Sequence, residues 1–274
     1  MKKEVLLFTS GVDSYIAKVY LESHGHDFDC LYFDHDGRYC DVEKVYIKHL
    51  SFPVIIDQRL KLKDLEQESA FIPNRNILFT ILANSLGYEK IWIGGSKSDR
   101  VCDNNERVFN ELSRLLTTMN EKYCKIDSPF WDCYKDEMVQ WFIQHRKNNS
   151  KTALTVEPHL ELLNNTYSCF NPIGTSFDKT AKIDYTKHNY SSPECLECIA
   201  CFRKCAVLFS GGIFVPFKNQ SIVDKYEKEF KEVLTPTTRS IETLNYIYQW
   251  QRYQREISKG WIDGNDPMMV VLNK

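Results

Sequence analysis

The chain has 274 residues, of which 43% are hydrophobic and 26% charged, and its net charge is −2. That balance suits an ordinary packed core and excludes a protein held to nucleic acid by bulk positive charge. No apolar run approaches the roughly 20 residues of a membrane span, and the opening Met-Lys-Lys-Glu runs straight into an apolar stretch, so no signal peptide is expected and the cytoplasm is the expected compartment.

Val5 to Phe8 is a continuous apolar run and predicts a strand buried on both faces. The polar stretch Thr9-Ser10-Gly11-Val12-Asp13-Ser14 follows, and then Ile16, Ala17, Val19, Tyr20 and Leu21 fall at the spacing of an amphipathic helix. A strand, a tight loop and a helix start in that order aim backbone N–H groups and a positive dipole end at one point, a ready site for phosphate. The plainer reading is an ordinary strand-to-helix connection with a Ser/Asp cap.

A second strand is predicted over 28–33 and a helix over 40–50, with Val42, Val45, Tyr46 and Leu50 on one face. Val54 to Ile56 reads as a third strand. An apolar helix over 75–86 ends at Gly87, a C-terminal stop signal. Lys90 to Ile93 reads as a fourth strand running into Gly94-Gly95-Ser96. A helix over 105–120 is expected to turn Val108, Leu112, Leu115, Leu116 and Met119 inward. A short strand over 124–126 and a helix over 135–147 complete the alternation. The pattern predicts an α/β fold with a doubly wound, Rossmann-like parallel sheet. Ligands bind such sheets at the carboxyl ends of the strands, so the loops 10–14, 34–38 and 94–99 are expected to share a cleft.

Near residue 150 the character changes, and three segments are expected: 1–150, 151–212 and 213–274. The middle one holds all four clustered cysteines, Cys195, Cys198, Cys201 and Cys205. The last reads as a helical extension, with Tyr226, Phe230, Leu244, Tyr246, Trp250 and Tyr253 along it. Its aromatic residues suit a packing surface or a homodimer surface.

Ten cysteines are many for a reducing compartment. Cys195, Cys198 and Cys201 lie at three-residue spacing, which suits tetrahedral zinc. Cys169, Cys205 and His188 are candidates for a fourth ligand, and buried or iron–sulfur thiols are the alternative. A fully thiolate site would be structural, with no open position for catalysis. Elsewhere, Pro73 precedes a helix start carrying Arg75 and Asn76. An arginine there opposes the helix dipole, which points to a task such as holding phosphate or a carboxylate. Lys135 at another helix start and His35-Asp36 carry no pattern of their own. No nucleophile triad or paired-carboxylate motif is visible.

Five segments in order resemble the 7-cyano-7-deazaguanine synthase family, within the adenine-nucleotide α-hydrolase group that carries a pyrophosphate-binding loop. They are Phe8 to Ser14; Phe33-Asp34 with Arg38; Ile72-Pro-Asn-Arg75-Asn76; Pro129 to Glu137; and Thr166 to Asn171 with Cys195, Cys198, Cys201 and Arg203. The resemblance implies a ligase that adenylates 7-carboxy-7-deazaguanine with ATP and uses ammonia to form the amide and then the nitrile. It implies zinc on Cys169, Cys195, Cys198 and Cys201, which would relieve Cys205 of that role. It places the nucleotide on Phe8, Thr9, Ser10, Gly11, Val12, Asp13 and Ser14, with Asp34, Arg38, Arg75, Asn76 and Gly94 around it. Asp13 would help to hold Mg²⁺, Arg75 and Lys135 would stabilise phosphate charge, and Asp103 would face the deazaguanine. The partners implied are small molecules, with no direct nucleic-acid binding and no membrane.

The chain departs from the family pattern in three places. Val12 stands in the loop where the family usually has Gly, Asn74 replaces a Gly before Arg75, and Leu196 replaces a Gly between zinc ligands. A β-branched Val12 requires negative φ. The family's substrate-side segment after the fourth strand, matched only faintly by Arg100-Val-Cys-Asp103, and the tail from Ile213 suit two rival ligases: one that stops at the amide, and one that couples the acid to a macromolecular amine. A sulfurtransferase or amidotransferase acting on tRNA, and a zinc-binding interaction protein, are the other rivals.

Overall fold

The structure, a computed structural model, describes residues 2–67, 71–99, 102–149, 158–168, 196–232, 238–259 and 270–271. The chain divides into two compact units, Met1–Met138 and Val139–Lys274.

In the first unit the strands are β1 (Glu4–Leu7), β2 (Phe28–Phe33), β3 (Ile55–Asp57), β4 (Lys90–Trp92) and β5 (Lys125–Asp127). They alternate with helices α1 (Val12–Ser23), α2 (Cys40–His49), α3 (Arg75–Ser85) and α4 (Glu106–Asn120), and α5 (Lys135–Asn149), which runs on into the second unit from Val139, follows β5. The strand order is β3-β2-β1-β4-β5 and every pairing is parallel. This is the expected doubly wound sheet. The order in which successive strands are added reverses between β1 and β4, so the crevice for a ligand opens outside their carboxyl ends. Val5, Leu6 and Phe8 are fully buried, as strands covered on both faces require.

Three details differ from expectation. Strand β3 is shifted one residue toward the C-terminus, and as an edge strand it leaves Ile55 exposed. In α2 the buried residues are Cys40, Tyr46 and Ile47, with Val42, Val45 and Leu50 only half-buried. Helix α4 is rotated: Leu115 and Met119, expected inside, are 53% and 68% exposed. The inward row is Phe109, Ser113 and Leu116. Burying the larger Phe109 ring, which stacks on Trp131 at 6.0 Å, outweighs burying Met119. Ser113 locks this rotation, because its hydroxyl donates to the Phe109 carbonyl at 2.6 Å and accepts the Ile126 N–H of β5 at 2.9 Å.

The second unit contains α6 (Pro158–Asn164), α7 (Ile199–Ser210), β6 (Ile213–Phe214), α8 (Gln220–Lys231), α9 (Thr238–Ser258) and β7 (Val270–Val271), with β6 and β7 antiparallel. Helix α7 stops at Gly211, with Gly212 left-handed behind it. The tail aromatics pack inward. Phe202 of α7 stacks on Tyr226 at 4.8 Å and meets Tyr246 at 5.7 Å. The Tyr246 hydroxyl and the Trp250 indole N–H donate to the Val215 and Phe217 carbonyls at 2.8 and 2.7 Å. These donors satisfy carbonyls of the extended stretch that no ladder pairs. Among the described residues, no helix is long and apolar enough to cross a membrane.

Candidate functional site

The loop between β1 and α1 contains an uncapped helix start. Gly11 is the N-cap residue and offers no side chain, so the N–H groups of Val12, Asp13 and Ser14 have no intrahelical partner. Val12 begins the helix with negative φ, as its branching requires. The left-handed residue is Ser10, at φ 56°. Its side chain is fully buried, and its hydroxyl has no hydrogen-bond partner. A buried orphan hydroxyl in a strained residue is costly unless a ligand completes it. Ser14 shapes the loop from inside, donating to the Gly11 carbonyl at 3.0 Å and accepting the Thr9 N–H at 3.3 Å. These donors suit phosphate oxygens.

Gly94, after β4, closes the other side. A Cβ there would lie 3.1 Å from the Ser14 nitrogen and 3.2 Å from the Asp13 Cβ, so any larger residue would push the strand end and α1 apart by a few tenths of an ångström. The next loop is pinned across to β5: the Ser128 hydroxyl donates to the Gly95 carbonyl, and the Lys97 N–H to the Cys133 carbonyl. The Lys135 N–H donates to the Ser98 hydroxyl at 3.1 Å. Through these ties Lys135, at the start of α5, reaches two carboxylates, Asp13 at 2.6 Å and Asp99 at 3.1 Å. Burial opposes the ammonium charge, but Asp13 and Asp99 outweigh it and raise the Lys135 pKa. Asp99 also accepts from the Ser96 N–H and the Asn104 side chain. Burial pushes the Asp13 carboxyl up against the pull of Lys135. Two carboxylates at the mouth of a phosphate cradle suit Mg²⁺. Asp99 escaped the sequence reading, although the 94–99 loop was singled out as a strand end.

The remaining expected residues are engaged as follows. Asp34 accepts from Lys44 at 2.7 Å and Gln58 at 2.9 Å, and although burial raises its pKa these bonds hold it below the usual range. Arg38 pairs with Glu66 at 2.6 Å and donates to the Gln67 carbonyl. Asn76 donates its backbone and side-chain N–H groups to Asp103 at 3.1 and 3.2 Å. Asp103 is therefore a cap on α3 supplied from another loop, a structural role in place of the expected ligand-facing one. The Arg75 guanidinium makes no ion pair or hydrogen bond among the described residues and lies 6.0 Å from the Phe79 ring.

Arg75 does line a small cleft with His35, Arg38, Tyr39, Cys40, Glu43, Glu66 and Ile72. His35 and Glu43 were not read as site residues. His35 follows β2 directly, which was the available signal, whereas Glu43 looks like any helix-surface acid.

Of the expected zinc ligands, Cys169 and Cys195 lie outside the described residues, as does His188. Cys198 and Cys201 occupy the N-cap and third position of α7, and Cys201 is fully buried. Among the described residues no three potential metal ligands converge. The two departures from glycine are legible in the backbone: Asn74 has φ 59° and Leu196 φ 54°. Asn tolerates this region and Leu does not. Leu196→Gly is therefore expected to stabilise the second unit by about 1 kcal/mol, the left-handed strain of a side chain less the extra chain entropy of glycine. Chemical denaturation followed on that unit checks it, and a destabilised Leu196→Gly would show that the leucine contributes packing that exceeds its strain.

The model of the family described as queuosine biosynthesis protein QueC matches residues 54–212. A curated relative, 7-cyano-7-deazaguanine synthase 1 of Sulfurisphaera tokodaii, is 26% identical over 143 residues, which cover 47% of this chain and 69% of that protein. A solved structure described as a predicted subunit of tRNA methyltransferase from Methanocaldococcus jannaschii aligns with TM-score 0.38 and 17% identity, over 59% of this chain and 86% of its own. With 159 of 274 residues inside the matched span, the chain belongs to the QueC family of queuosine biosynthesis proteins.

Proposed function

We propose that the protein is an ATP-dependent ligase that converts 7-carboxy-7-deazaguanine and ammonia to 7-cyano-7-deazaguanine, releasing AMP and pyrophosphate. The substrate carboxylate attacks the α-phosphorus of ATP and pyrophosphate leaves. Ammonia then displaces AMP to give the amide, and a second adenylation with loss of the amide oxygen gives the nitrile. The observation that carries this reading is Ser10, a buried hydroxyl without a partner at an uncapped helix start, in a chain of this family.

In this reading Ser10 and the N–H groups of residues 12–14 hold the departing pyrophosphate. Asp13 and Asp99 would hold Mg²⁺, which neutralises phosphate charge when bound. Lys135 aligns the two carboxylates and Arg75 stabilises the developing negative charge. No protein acid or base is demanded, so positioning and electrostatics carry the rate. Cys169, Cys195, Cys198 and Cys201 would close a structural zinc site that holds the second unit's fold.

Incubation of the protein with ATP, Mg²⁺, ammonia and 7-carboxy-7-deazaguanine tests the reading by product mass. The nitrile, with AMP and pyrophosphate, is the expected product. Accumulation of the amide alone, or transfer to an added amine, would replace it with one of the rival ligases, and absence of AMP would reject adenylation.

A further inference from the structure

The cleft beside α2 and α3 brings Arg75 together with His35 and Glu43, two polar groups to which the phosphate chemistry gives no role. His35 is 8% exposed, and its Nδ1 is buried without a hydrogen-bond partner. The Tyr32 hydroxyl donates to one oxygen of Glu43 at 2.7 Å, which leaves the other oxygen open to a ligand. The guanidinium of Arg75 is unpaired among the described residues. The cleft is small and open on one side, so it takes the edge of a planar ring rather than a whole molecule.

A 2-amino-6-oxopyrimidine edge matches this inventory in its sequence of donors and acceptors. Its N1–H and 2-amino group are adjacent donors, suited to a carboxylate. Its O6 is an acceptor next along the same edge, and in 7-carboxy-7-deazaguanine the carboxylate lies beside O6. One guanidinium can bridge those two groups. Glu43 and Arg75 line the same cleft, and the cation favours the ionised carboxylate without an ion pair between them among the described residues. Resting on the reading above, we propose that Glu43 reads the N1–H and 2-amino edge of the carboxy-deazaguanine substrate, with Arg75 on O6 and the carboxylate and His35 Nδ1 as a third polar contact.

The charge states support this. Burial pushes the Glu43 carboxyl up to about 7, against the Tyr32 hydrogen bond and Arg75. Burial and Arg75 lower the His35 pKa, so its ring is neutral near pH 7. Of the other groups facing Glu43, Asp34 is ionised, burial raises the Tyr32 and Cys40 pKa values so that both stay neutral, and Glu66 is paired with Arg38. Glu43 is therefore the group that titrates between pH 6 and 8, and as an acceptor it binds better when ionised.

Calorimetric binding of 7-carboxy-7-deazaguanine to the full chain tests the proposal without turnover. Glu43→Gln keeps an acceptor for Tyr32 and is expected to weaken binding about 100-fold, because a donor amide then faces the ligand's donors. In the wild type the 2-deamino analogue is expected to bind about 100-fold more weakly, and substrate binding should tighten from pH 6 to pH 8, a slope that Glu43→Gln loses. Equal affinity for the two ligands, which needs no variant, would overturn the proposal, as would unchanged binding in Glu43→Gln. If either occurs while the wild type still forms product, only this assignment falls. A wild type that neither binds nor turns over the acid overturns the functional reading as well.

Discussion

Lys135→Met is expected to reduce ATP-dependent pyrophosphate release by about 10²–10³-fold, the scale of losing one preorganised charge from a site of developing negative charge. The side chain sits between Asp13 and Asp99, 2.6 and 3.1 Å away. Without its ammonium the two carboxylates face each other across a partly buried space, and each raises the other's pKa. Asp13, already pushed up by burial, would take up a proton more readily and be a poorer ligand for the proposed Mg²⁺. Two effects therefore coincide, loss of a cation near the phosphates and loss of a metal ligand. Lys135→Met/Asp99→Asn removes the like-charge repulsion, and with it a second candidate metal ligand. That double variant is expected to recover thermal stability while pyrophosphate release stays low. Full activity in Lys135→Met would remove the lysine from the chemistry.

Cys198→Ser is expected to take the zinc content from one per chain to none and to melt the start of α7. A structural zinc contributes on the order of 10 kcal/mol, more than the whole stability of most domains. Cys198 caps α7 and Cys201 is buried one turn inside it, so loss of the metal would expose two thiols that the helix start is built around. Cys205→Ala is the contrast. Cys205 is buried further along α7, and its variant is expected to keep the metal while losing packing. Metal analysis with circular dichroism reads both, and a folded, metal-free wild type would reject the site.

The parallel sheet was legible because short strand-like stretches, led by the apolar run Val5–Phe8, alternate with segments of helical spacing, one of them closed by Gly87. The rotation of α4 was not. Val108, Leu112, Leu115 and Met119 form an acceptable stripe by themselves, and only the Ser113 bond to β5 and the Trp131 ring decide against it. The β1–α1 loop could be read locally because its geometry comes from adjacent residues. Lys135 and Asp13 are 122 residues apart, and no periodicity links them, so the lysine entered only through the family resemblance. Asp99 and Glu43 lacked even that signal, since each is an ordinary surface acid until the fold gives it neighbours. Asp103 misled for the opposite reason: an acid near a substrate segment looks like a ligand, yet the uncapped start of α3 claims it.

The left-handed turn at Leu196 also bears on the chain's history. Its carbonyl accepts the Lys218 N–H at 2.8 Å, so the turn is held from the tail side whatever side chain occupies it. A glycine can be lost from such a turn by drift, provided the domain has stability to spare. Among descendants and near cousins of this chain, position 196 should wander through residues without β-branching while the sign of φ persists. β-Branched residues should be missing, because selection there acts on a dihedral angle and only indirectly on an amino acid.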